Sequence, residues 1–93
     1  MDTIINLLKL DLGIQHNLRD AFFIQLVKGT IGEIEKRGIK LNLNDASDQM
    51  LISDYSAWVY RKRQEDLPLA NNIKSRLRNR IIEERIAKQN GLS

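Results

Sequence analysis

The chain has no cysteine, one proline and one histidine in its 93 residues. Without cysteine there are no disulfides and no thiolate metal sites, and redox chemistry says nothing about compartment. The lone proline, Pro68, leaves long stretches free to run as helix. The lone histidine, His16, leaves no Ser-His-Asp set to assemble, and its place just before a helix start suits a capping or surface residue. Long apolar runs are missing too. The opening stretch MDTIINLLKLDLGI carries Asp2 and is broken by Lys9 and Asp11. It reads as neither a secretory signal nor a membrane span, so a soluble protein, cytoplasmic at synthesis, is expected. Gly29-Thr30-Ile31-Gly32 lacks the lysine and the preceding strand of a phosphate loop. The acidic pairs Asp45/Asp48 and Glu83/Glu84 are accounted for by helix starts and solvated faces. Nothing here calls for catalysis, a cofactor or a metal.

What is present is ordinary globular material, 42% apolar and 29% charged. A chain of this length buries roughly 60–65% of its unfolded surface, enough for one small core, so residues 1–93 read as a single domain. The net charge of +3 is uneven. Residues 1–60 hold six Lys/Arg against eight Asp/Glu, a net of −2, and residues 61–93 hold nine against four, a net of +5. A basic C-terminal third favours an acidic partner, either nucleic acid or an acidic protein surface.

Four helical segments follow from apolar spacing, so the fold class is all-α, a small four-helix domain with a projecting C-terminal helix. The first covers about 2–11, with Ile4, Ile5, Leu8 and Leu12 in register and Gly13 as its stop. The second runs from about Leu18 to Arg37, with Phe23, Val27, Ile31 and Ile34 as its stripe and Gly38 just past its end. IKLNLN, residues 39–44, alternates like a strand but has no second strand to pair with, so it reads as an extended connector. The third helix starts among Asn44 to Ser47, with Asp48 in its first turn, and continues to about Gln64. Glu65-Asp66-Leu67-Pro68 reads as a turn, because the residue before a proline is pushed out of helical geometry. The fourth helix covers about Leu69 to Gln89, before Gly91.

Several faces do not fit a lone monomer. Leu51, Ile52, Tyr55, Trp58 and Val59 form one broad face of helix three, while Met50, Ala57 and Tyr60 lie nearly opposite. A helix apolar on two sides is deeply buried or used by a partner, and in a small protein a partner is favoured. Phe22 and Leu26 likewise stand off the main stripe of helix two, and Gly29 and Gly32 would let another helix come close. These side chains are the expected subunit interface. In helix four, Leu69, Ala70, Ile73, Leu77 and Ile81 form a stripe whose later positions are taken by Glu84 and Lys88. Ile82 and Ile86 point the other way, so the end of this helix is expected to project and dock on something else. Lys74, Arg78 and Arg85 line one side and Arg76 with Arg80 another, and of these Lys74, Arg76, Arg78 and Arg80 are the candidate contacts to DNA or an acidic partner. The cluster Arg61-Lys62-Arg63 ends helix three, where cations gain from the dipole and the Lys62 stem can cover the core's edge.

The order LKLDLGI, a long helix ending in EKRGIKL, then DQMLISDYSAWVYRKR, a proline and RLRNRIIEERI resembles the small head–tail connector proteins of long-tailed phages, also called head completion or adaptor proteins. The resemblance covers about residues 4–86 and is most specific over 48–81. It rests on helix pattern and residue order, not on a catalytic motif. It implies an all-helical subunit in a ring of ~12 copies under the portal, following the portal's cyclic symmetry. Such a ring extends the channel for double-stranded DNA and receives a stopper or tail-completion protein. The family's C-terminal helix grips the portal protein, which here corresponds to Ile82, Arg85, Ile86 and Lys88. The implied location is the virion head–tail interface, reached from the host cytoplasm. The chain is short for the family and shows no long insertion for a channel loop. A different class of function stays open: a small DNA-binding regulator using the basic segment KSRLRNR, although helix three is long and aromatic for the scaffold helix of a helix-turn-helix.

Overall fold

In a computed structural model of the chain the structure describes residues 1–63 and 68–89. Four helices follow in order: α1 (Asp2–Leu12), α2 (Asp20–Lys36), α3 (Ala46–Lys62) and α4 (Asn71–Gln89). No strand occurs among the described residues. The fold is an all-α, small four-helix domain. The turn expected at 65–68 falls mostly on residues outside those described, as does the expected stop beyond Gln89.

Two glycines end helices by adopting backbone that a side chain resists. Gly13 has φ 73° and closes α1, its N–H donating to the Leu10 carbonyl while that of Ile14 donates to Lys9. Gly38 has φ 91° and turns the chain after α2. At the start of α3 the Asp45 carboxylate accepts from the Asp48 N–H at 3.0 Å. Such a cap contributes about 1 kcal/mol. The connector forms no strand: Ile39 is buried and Leu41 half-buried, and the chain then turns at 43–44, where the Asp45 N–H donates to the Asn42 carbonyl at 3.0 Å and Leu43 is left exposed, so the expected extended run stops short of Asn44.

Ile4, Leu8, Phe23, Val27, Ile34, Ile39, Leu51 and Ile52 form the interior. Each such side chain contributes about 1.5–3 kcal/mol by leaving water. Helix α3 is the centre, packing against each of the other three helices. That position corrects one expectation. Ala57, read as part of a partner-facing side, is 1% exposed and belongs to the core. Ser53 and Ser56 are buried too, so α3 is covered on several sides by its own chain. A small domain can bury one helix this way when that helix is central and the small side chains Ser and Ala let neighbours approach closely. Met50 remains exposed.

One buried polar cluster went unanticipated. Lys9, which interrupts the apolar face of α1, is itself buried, and its ammonium donates to Asn17 Oδ1 and Asp20 Oδ1 at 2.8 Å each. The cluster ties the α1–α2 loop to α1, while His16 lies exposed in that loop and its Nδ1 accepts from the Leu18 N–H at 3.3 Å.

Candidate docking surfaces

Helix α4 divides into two parts. Ile73 and Leu77 are buried against the core, and Leu69 and Ile81 pack at its edge, whereas Ala70 is exposed. Beyond Ile81 the apolar residues turn outward, with Ile82 45% and Ile86 50% exposed. Glu84 follows the inner stripe and accepts weakly from the Lys40 N–H at 3.4 Å. The sequence change from apolar to acidic at that position is what ends burial.

A shallow strip along α4 collects residues that the sequence distributed over separate roles. Leu69, Leu77, Ile81 and Ile82 form its floor, and Arg37, Lys74, Arg78 and Arg85 surround it. Arg37 comes from the end of α2 and also donates to the Tyr55 hydroxyl at 3.3 Å. The strip is an apolar track with a cationic rim. Ile86 and Lys88 lie further along α4, both exposed.

The other two arginines are occupied. Arg76 donates to Asp54 of α3 at 2.7 Å. Arg80 pairs with the buried Asp48, donates to the Lys40 carbonyl at 2.8 Å and lies 3.9 Å from Glu84. Asp48 also accepts from the Asn42 N–H at 2.8 Å, so one carboxylate holds α4, the connector and the start of α3 together. Arg76 and Arg80, read from sequence as possible contacts to DNA or a partner, therefore clamp α4 onto its own chain. Helical spacing sorted them onto one side of α4 but carries no sign of acids 22 and 32 residues away.

A second surface lies between α2 and α3. Phe22, Leu26, Gly29, Thr30 and Val59 line an open groove of about 450 Å³, with Gln25, Glu33 and Arg63 around it. At one end Phe22 and Phe23 meet Tyr60, with ring centres 5.4–6.2 Å apart, and Tyr60 is half-covered by them. The Arg19 and Arg63 guanidiniums lie over the Phe22 ring at 4.7 and 5.1 Å from its centre. Of the expected interface side chains, Phe22 and Leu26 line this groove, and Tyr60 packs at the same end. Val59 and Arg63 were not singled out for it, because their contact with α2 comes from how α3 crosses it.

Among the described residues no helix is long and apolar enough to cross a membrane, and no group of three or more His, Asp or Glu could hold a metal ion. No protein-family model matches the chain, and no curated protein or solved structure matches it.

Proposed function

We propose that this chain is a structural assembly subunit, a phage or prophage head–tail connector protein that works by docking and not by catalysis. The observation that carries the reading is the track on α4. Its apolar floor runs out to Ile82 beyond the core, and Arg37, Lys74, Arg78 and Arg85 surround it. An apolar track rimmed by one sign of charge suits a partner surface that is apolar at its centre and acidic at its edges. On the connector reading that partner is the portal protein, and Ile86 and Lys88 extend the contact.

In this proposal about twelve subunits form a ring, because a ring on a cyclic portal takes the portal's symmetry. The ring extends the DNA channel and receives a stopper or tail-completion protein. A lumen lined by subunits of net charge +3 attracts the phosphate backbone without reading bases. A base-reading regulator is the less favoured reading, because Arg76 and Arg80 are spent on Asp54 and Asp48. Two of the four arginines in the basic segment 74–85 thus hold the fold together.

Sedimentation velocity of the purified protein, alone, with isolated portal rings, and with a short duplex at two salt concentrations, tests the reading. The expected outcome is a protein that leaves the duplex unshifted once salt is raised, and that co-sediments with portal rings. A duplex shift at low micromolar protein that resists added salt would overturn it in favour of a DNA-binding regulator.

A further inference from the structure

We infer that the groove between α2 and α3 is the seat of a two-fold dimer, in which a second copy of the chain lays its own α2 antiparallel across the first. The inference stands on the groove and not on the connector reading.

The groove is complementary to itself in shape. Along α2 its residues run Phe22, Leu26, Gly29 and Glu33, about 16 Å from end to end at 1.5 Å per residue. An antiparallel copy centred between Val27 and Lys28 sets Leu26 of each chain opposite Gly29 of the other, and Phe22 opposite Glu33. Leu26, half-buried in the groove, supplies the bulk and Gly29 the gap. A Cβ built on Gly29 meets nothing within 4 Å in the single chain, so the space there is open to a neighbour. Glycine in mid-helix is unfavourable relative to alanine, and close approach of a second helix is a use that offsets it.

The groove is also complementary to itself in charge. Its Phe22 end carries Arg19 and Arg63, which hold no ion pair among the described residues. Its other end carries Glu33 in a loose, exposed pair with Lys36 at 4.0 Å, so that end is close to neutral where the Phe22 end is cationic. The antiparallel arrangement brings each Glu33 to the arginine end of the other copy. A parallel arrangement would set Glu33 beside Glu33 and the arginines beside arginines. Electrostatics thus selects one orientation from the two that shape alone would permit.

A two-fold contact closes on itself and does not propagate. It covers Phe22 and Leu26, so a copy paired in this way cannot use those side chains in a head-to-tail ring. One face of one helix with its rim falls at the low end of specific interfaces, below about 1,200 Å² in total, so the dimer is expected to be weak, with a Kd on the order of 1 μM or above.

The test is sedimentation equilibrium of the full chain over a micromolar range, for the wild type and four variants. The wild type should show a monomer–dimer equilibrium. Gly29→Leu should leave the helical circular dichroism and thermal midpoint intact or raised, yet weaken dimerisation about tenfold or more. Glu33→Arg and Arg63→Glu should each weaken it similarly, and the double variant, Glu33→Arg with Arg63→Glu, should restore it. A wild type that stays monomeric throughout, a dimer indifferent to Gly29→Leu, or a double variant no better than its singles would each overturn the inference. None of these outcomes bears on portal docking, which is read separately from the α4 track.

Discussion

Helix α1 has 11 residues and α4 has 19, yet α1 buries Ile4, Ile5 and Leu8 while α4 buries only Ile73 and Leu77. The two helices are held by different forces. α1, α2 and α3 share an apolar interior in which position is set by packing. α4 lies on that interior through a short apolar stretch and is then fixed by Arg76 on Asp54 and Arg80 on Asp48. An element held mostly by charge pairs and directional hydrogen bonds keeps its apolar surface free for others. That is how a small domain can leave the apolar side of a long helix uncovered without unfolding.

The contrast can be broken most forcefully inside α1–α3. Phe23→Ala removes a fully buried ring from the centre of the interior and should cost about 3–5 kcal/mol, read from urea unfolding. Against a total stability of about 5–15 kcal/mol, that loss removes a large share of the margin. A cost no larger than that of a surface change would mean that the interior is not where this domain holds itself together.

Asp48→Ala sharpens the contrast from the other side. Removing one partner of a fully buried ion pair costs about 3–5 kcal/mol. Here Arg80 keeps some contact with water and with Glu84, so about 2 kcal/mol is expected. The loss should be local as well. Amide exchange should rise across α4 and the 39–45 connector while the α1 amides keep their protection. Uniform loss of protection would show that α4 is as much a part of the core as α1.

The smallest effect is expected at the tip of α4. Ile82→Asp with Ile86→Asp should change stability by no more than about 1 kcal/mol, since both side chains are about half exposed. The same pair of changes should abolish co-sedimentation with portal rings. Intact docking by this variant would remove the α4 track from the proposed function.

Much of this was legible before any coordinates. Helix ends at Gly13 and Gly38 could be read because left-handed backbone leaves a residue-level mark. The outward turn of Ile82 and Ile86 could be read because periodicity is local. Lys9, Arg76 and Arg80 could not be placed, because an ion pair is made by two residues whose separation along the chain carries no pattern. Ala57 failed for a related reason. Periodicity says which residues share a side of α3, but how many sides are covered depends on the neighbours that α1, α2 and α4 supply.

Asp48 has one further consequence, in the order of synthesis. α1, α2 and α3 precede α4 along the chain and so emerge from the ribosome ahead of it. A nascent chain that closes its three-helix interior early holds two acids, Asp48 and Asp54, still waiting for their cations. The nascent chain up to residue 60 carries net charge −2, and the segment that follows carries +5. α4 emerges after those three helices and is drawn toward an oppositely charged surface, where the arginine clamps fix it.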